Sequence, residues 1–478
     1  MQLNKFDTIL DIQQAFYQQQ ISALQLTKYY LERIANFDKQ GPTINAITEL
    51  NPDALHIAEA LDIEREQKGI RGPLHGIPIL LKDNIDTGDH MHTSAGSIAL
   101  ANNYAKEDAF VVEKLREAGA IIIGKANLTE WANFMTMGMP NGYSSRGGQV
   151  LNPYGPGIFD VGGSSSGPGA AVAASFATAS IGTETSGSIL SPASSNTLVG
   201  IKPTVGLISR SGIIPISHSQ DTAGPLAKTV TDAAIVLGAL TGQDDKDPAT
   251  CLSSKQSQTN YRYSLNKDGL KGATLGVDRN YFAGLSEEEA ELIDMALEDL
   301  AYQGATILDP VEIQADPNDI NVMIHEFKTG LNAYLANVSN QVPVQSLAEV
   351  IEYNEQHAER ALKYGQTLLT ASEKTSGTLT EPSYIQARLN DIRQAQSEGI
   401  DAVMDKHELD ALVFVNNHGA GIAAKAGYPS ITIPAGYTSS GKPVGLTFAG
   451  KAFTEEKLIE LAYAYEQATK HRRNPVLD

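Results

Sequence analysis

Residues 162–191 constrain this chain more than any other stretch. Gly162-Gly163-Ser164-Ser165-Ser166-Gly167-Pro168 opens it and a run of small residues follows. Gly182-Thr183-Glu184-Thr185-Ser186-Gly187-Ser188-Ile189-Leu190-Ser191 closes it. The Ala-rich segment between the two turns, 170–179, has side chains small enough to let neighbouring backbones come close. Such turns gather backbone N–H groups and hydroxyls into little space, which suits binding an anion or stabilising an oxyanion. The bland alternative is a pair of loops or linkers, the usual meaning of a Gly/Ser cluster.

A third element, about 80 residues upstream, argues for chemistry. In His75-Gly76-Ile77-Pro78-Ile79-Leu80-Leu81-Lys82-Asp83-Asn84 a lysine closes an apolar run of strand character. Burying an ammonium costs several kcal/mol unless it is paired or neutral. Ser164 stands 24 positions before Ser188. Gly-Lys-Ala-Asn-Leu-Thr-Glu from Gly124, Gly-Ile-Lys-Pro-Thr from Gly200 and Asp-Thr-Ala-Gly-Pro from Asp221 follow in order. In these motifs, their order and that spacing, the chain resembles the amidase signature family, and in the Ser-Ser-Ser-Gly form of its first turn it is similar to the peptide amidases within that family. The resemblance covers roughly residues 70–240 and again 410–470.

The resemblance implies an α/β fold: a central mixed, twisted sheet covered by helices on both faces, formed by residues 1–478 as a single domain. Within it, 1–69 would be N-terminal helices, 70–240 the catalytic core, 245–400 a variable region around the substrate pocket, and 410–478 the strands and helix that complete the core. It also implies a Ser-Ser-Lys triad that hydrolyses a linear amide through an acyl-enzyme, with no metal or organic cofactor. Ser188 would be the nucleophile, Ser164 the bridge and neutral Lys82 the final proton acceptor, with Gly163 and Ser165 in support and a cis bond between Gly163 and Ser164. The oxyanion would lie against the backbone N–H groups of Thr185, Ser186, Gly187 and Ser188. Lys82 must then be neutral near pH 7, a shift on the order of 4 kcal/mol, and the apolar Ile79-Leu80-Leu81 approach acts in that direction.

Departures from the family pattern bear on the substrate. Members that take acidic substrates, or that serve glutaminyl-tRNA formation, carry arginine two or three places after the nucleophile, where this chain has Leu190 and Ser191. An uncharged acyl side follows, with peptide C-terminal amides and aryl or alkyl amides as leading substrates. Ser186 and Pro168 also stand where other residues are usual, and Pro168 fits the first turn of a helix. The regions 125–145 and 310–370 are expected to shape the pocket.

Composition narrows the partners. A net charge of −20 with no local basic patch beyond His471-Arg472-Arg473 argues against nucleic acid and anionic membrane surfaces. One cysteine, Cys251, excludes an intrachain disulfide framework and a cysteine-based metal site. The opening Met1-Gln2-Leu3-Asn4-Lys5-Phe6-Asp7 lacks the basic and apolar regions of a signal peptide, and no apolar run reaches about 18 residues. The expected address is the cytoplasm, and the expected state a monomer or homodimer.

Periodicity supplies the elements. Ile9, Ile12 and Phe16, then Leu24, Tyr30, Leu31 and Ile34, predict two amphipathic helices. Asn51-Pro52 predicts the start of a third that stops near Gly69. A strand at 77–81, a helix capped by Asp108 and ended by Gly119, and a strand at 120–123 form a βαβ-like unit. A second unit spans 273–308, with Ser286 and Glu289 as a capping box. Strands at 412–415, 430–433 and 444–448 and a helix from about Thr454 close the chain.

The same residues admit competing readings. Gly163-Ser164-Ser165-Ser166-Gly167 fits G-x-S-x-G and would make Ser165 an α/β-hydrolase nucleophile, with Asp401 and His418 as partners, but Gly155-Pro156-Gly157 stands where a hydrophobic strand should feed the turn. Gly119 to Lys125 fits a phosphate-binding loop, but Ala126 replaces the metal-binding hydroxyl and the middle reads as a strand. His90-Met91-His92 reads as exposed loop, and His218 as either pocket or structural. Phe327, Tyr334, Tyr353 and Tyr364 read as core. The alternative to a free-standing enzyme is an amidotransferase-type subunit that works only in a complex, or an inactive scaffold.

Overall fold

The computed structural model describes residues 7–314 and 319–477. Residues 1–6, on which the reading of the chain's start rests, and 315–318, within the segment expected to shape the pocket, lie outside them.

Among the described residues, eleven strands make one mixed sheet. In chain order they are β1 (Ile47–Leu50), β2 (Pro78–Lys82), β3 (Ile121–Ala126), β6 (Ala179–Glu184), β7 (Val199–Lys202), β8 (Thr222–Ala227), β9 (Thr274–Val277), β10 (Thr306–Leu308), β11 (Ala411–Val415), β12 (Ser430–Tyr437) and β13 (Pro443–Ala449). The intervening β4 (Tyr143–Ser144) and β5 (Gly148–Gln149) form a separate small hairpin. The spatial order is β1-β3-β2-β6-β8-β7-β12-β13-β11-β9-β10. Strands β3, β2 and β6 run parallel, as do β11, β9 and β10, and antiparallel pairs connect and flank these two groups.

Helices flank the sheet, and β11 shows why its strands read as unbroken apolar runs. Its alternate residues Ala411, Val413 and Val415 join the main core, while Leu412 and Phe414 pack with Ile400, Ile422 and Ala423. Side chains alternate faces along a strand, so a sheet covered on both sides buries every position. The N-terminal helices Ile9–Tyr17 and Ala23–Arg33 seat Ile9, Ile12, Phe16, Leu26 and Tyr30 in the main core. Of the four aromatic residues read as core, Phe327 is fully buried and Tyr334 and Tyr353 pack partly buried beside it. Tyr364 is 37% exposed, its ring edge-on to Tyr143.

Several local expectations need correction. The third helix is Ala54–Lys68 with Asp53 at its N-cap; Asn51 acts two residues earlier, its Oδ1 accepting from Asp53 N at 2.9 Å. Asp108 does not cap the helix Phe110–Glu117, whose N-cap is Ala109. Its carboxylate instead accepts from Gly88 N and Arg116, a stronger charged pairing than a cap offers. The Ser286/Glu289 capping box of the helix Glu287–Tyr302 is present with both reciprocal bonds.

Candidate active site

Strand β2 delivers Lys82 as its last residue, with every side chain of the strand buried. β6 runs parallel beside it and ends at Glu184, so the chain leaves the sheet at Thr185 close to the lysine. Between them, the helix Ser166–Ala173 starts directly after Ser165. Its small residues permit close approach: a Cβ on Gly167 would lie 2.2 Å from the Asn127 carbonyl oxygen and 2.6 Å from that of Ala46. Gly163 is similarly enclosed, with 2.4 Å from a built Cβ to Asn141 Oδ1, and the Gly163–Ser164 peptide bond is cis.

Lys82 is fully buried. Its Nζ donates to Ser164 Oγ at 2.8 Å, Thr183 Oγ1 at 2.9 Å and the Thr183 carbonyl at 3.1 Å. Among the described residues, no carboxylate is bonded to it. Burial brings its pKa from an ordinary 10.5 down to about 7, against the weaker upward pull of Glu184 and then Asp221. Asn84 Nδ2 donates to Thr183 Oγ1 at 3.0 Å and so holds the hydroxyl on which the lysine rests.

Ser188 sits in a turn pinned from within. The buried Glu184 carboxylate accepts from Gly187 N at 2.7 Å, Ile189 N at 2.6 Å and Leu190 N at 3.0 Å. Burial raises the Glu184 pKa while these amides and Lys202 pull it down. Gly187 adopts φ +85°, and a Cβ there would lie 2.9 Å from Asn417 Nδ2. Among the described residues, no acceptor takes the N–H groups of Thr185, Ser186 or Ser188. Ser186 is exposed, so the turn opens to solvent.

The two Ser-rich turns meet through the backbone: Ser165 N donates to the Ser188 carbonyl at 3.1 Å. The Ser165 hydroxyl is buried against β6, donating to Thr183 O at 3.1 Å and accepting from Thr183 N at 3.3 Å. The partners required by the α/β-hydrolase reading are elsewhere, with Asp401 accepting from Tyr428 and His418 Nδ1 beside the Tyr281 carbonyl. His90 and His92 form separate pairs with Asp53 and Glu49. Leu190 is fully buried, and Ser191 Oγ accepts from Gly163 N at 3.3 Å.

A cavity of about 430 Å³ adjoins the lysine's anchors, with Asn84, Thr183, Thr185, Asp221, His218 and Tyr334 in its wall. His218 is thus a pocket residue. Sequence reasoning missed Thr183, Asn84 and Glu184; the signal for Glu184 was a carboxylate in a strand, directly before a glycine turn.

A family model for amidases matches residues 25–459. A protein of Arabidopsis thaliana described as a probable amidase is 42% identical over 98% of this chain and 91% of its own length. The crystal structure of the peptide amidase from Stenotrophomonas maltophilia superposes with a TM-score of 0.91 at 44% identity, covering 98% of each chain. A glutamyl-tRNA(Gln) amidotransferase subunit of Pseudomonas aeruginosa is 41% identical, but only over 63% of this chain and 60% of its own. The chain belongs to the amidase family, and is an amidase-signature hydrolase of carbon–nitrogen bonds with the fold of the peptide amidases.

Proposed function

We propose that this chain hydrolyses a linear carboxylic amide, a peptide C-terminal amide or an aryl or alkyl amide, to the acid plus ammonia or amine. Ser188 is the nucleophile, Ser164 the bridge and Lys82 the base. The observation that carries this reading is the buried Lys82 ammonium site, 2.8 Å from Ser164 and brought to about pKa 7 by desolvation. A base poised near the working pH is effective in both directions of proton transfer.

Ser188 Oγ attacks the amide carbonyl and its proton passes through Ser164 to neutral Lys82. The oxyanion accepts from the amides of Thr185, Ser186 and Ser188. Gly187, expected in the same group from the motif resemblance, enters as an anchor, because its N–H already donates to Glu184. The proton returns through Ser164 to the leaving nitrogen as the C–N bond breaks. Water then attacks the acyl-enzyme, giving its proton back along the same relay to Ser188.

The buried Leu190 and the Ser191 that holds Gly163 support an uncharged acyl side, since neither offers a cation to a substrate carboxylate. The relatives named as peptide amidases favour amidated peptides. The partial likeness to an amidotransferase component keeps one rival: a subunit that works only in a complex. Ammonia release by the isolated chain from C-terminally amidated dipeptides supports the proposal. No turnover of any amide or arylamide by the isolated chain favours the subunit reading or a binding scaffold.

A further inference from the structure

Thr185 is the first residue beyond β6, and its side chain is tied to a different part of the chain from the rest of the turn. Its hydroxyl donates to Asp221 Oδ1 at 2.5 Å. The other oxygen, Asp221 Oδ2, accepts from Ile216 N and Ser217 N, each at 2.8 Å. Asp221 directly precedes β8, whose Thr222 pairs with Glu184. The carboxylate is therefore fixed from three sides, by the sheet, by the loop at 216–217 and by Thr185.

We propose that Asp221 is a positioning residue for the reaction, aiming the Thr185 N–H at the developing oxyanion from the side of the turn opposite to the Glu184 clamp. The proposal rests on the reading of Ser188 as nucleophile. Glu184 holds the amides of Gly187, Ile189 and Leu190, which fixes the far half of the turn and leaves its near end to another anchor. Threonine is stiff at χ1, so fixing its hydroxyl also fixes the adjoining backbone. A donor contributes to oxyanion stabilisation only when it is aimed before charge develops, because reorienting it during reaction would consume the gain.

The charges around this pair are few. Arg210 faces Asp221 and is itself paired with Asp247. Glu326 accepts from Ser217 and Ser219 in the same loop. Lys82 lies within reach of the fields of Glu184 and Asp221.

Three variants test the proposal, with folding checked by thermal melts. Thr185→Val keeps the shape and removes the tether; kcat should fall about 10- to 100-fold with KM little changed, the signature of a contact made in the transition state. A peptide aldehyde, whose hemiacetal with Ser188 places an oxygen at the same donors, should lose affinity by a similar factor. Thr185→Ser should recover most of both losses. Asp221→Asn can keep all three contacts by turning its oxygen to Ile216 and Ser217 and its amide to Thr185, but it removes the charge. Aiming the amide needs these contacts and not the charge, so kcat and aldehyde affinity in Asp221→Asn should stay within about threefold of the parent. A rise in KM with kcat unchanged in Thr185→Val, or unaltered aldehyde affinity there, would overturn the proposal. Persisting activity in Ser188→Ala would instead overturn the nucleophile assignment beneath it.

Discussion

Lys82 Nζ lies 2.8 Å from Ser164 Oγ in a fully buried site whose other two contacts are both to Thr183. With no carboxylate among the described residues bonded to it, the lysine has little to stabilise its ammonium form, and that gives it a use as a base.

The pH dependence follows. Neutral Lys82 is the active form, and its pKa is about 7. Then kcat/KM for an uncharged amide should rise with pH, reach half its plateau near pH 7 and stay flat above pH 8. Initial rates between pH 5.5 and 9.5 check this. A midpoint above 9 would mean that Lys82 keeps its ordinary ammonium.

Stability should rise with pH, in the same direction as activity. Because the folded pKa, about 7, lies below the ordinary 10.5, burying Lys82 costs nothing above pH 10.5. The cost grows as the pH falls and is complete below 7, at roughly 4 to 5 kcal/mol. Lys82→Met should be inactive yet more thermostable, with a gain in Tm that is larger at pH 6.5 than at pH 9.5. Melts of both proteins at the two pH values measure it.

Glu184→Gln should damage both rate and stability. With a single oxygen available for Ile189 and Leu190, the new amide NH₂ faces the Gly187 N–H. A buried donor left without an acceptor costs about 1 to 3 kcal/mol. The expected outcome is a lower Tm and a fall in kcat of about 100-fold as the turn loosens. Steady-state kinetics with an amidated dipeptide and a thermal melt read the two effects.

Gly187→Ala is expected to destabilise by about 1 to 2 kcal/mol, the cost of a left-handed backbone for an L-residue. The φ of +85° sets this cost, and the contact at 2.9 Å with Asn417 Nδ2 adds to it. Chemical denaturation measures the loss. An unchanged midpoint would show that the turn relaxes to another conformation.

Much of the site was legible from spacing: two Ser-rich turns, 24 residues from Ser164 to Ser188, and a lysine at the end of an apolar run. The lysine argument alone does not discriminate. Lys125 is the penultimate residue of β3 and Lys202 closes β7, and both are as deeply buried as Lys82. Lys125 donates to the Ile85 carbonyl and Thr93, and Lys202 to the Tyr428 carbonyl, so both act as structural staples. What separates Lys82 is Ser164, a neighbour 82 residues away in sequence that only the motif resemblance supplied. Long periodic elements and the Ser286/Glu289 box were readable because their signals are local. β6 was hidden because Ala179-Ser180-Ile181-Gly182 carries no alternation, both of its faces being covered. Glu184 and Asp221 were missed as roles because their partners are backbone amides and one hydroxyl, which leave no mark on composition.

The most direct test of the account is amide hydrolysis by the purified chain beside Ser188→Ala, Lys82→Ala and Ser165→Ala, at pH 8 and with folding verified for each. The account predicts that Ser188→Ala and Lys82→Ala each lose several orders of magnitude while Ser165→Ala, whose hydroxyl only braces Thr183, keeps part of its rate. A dead Ser165→Ala beside a Ser188→Ala that still turns over would contradict it.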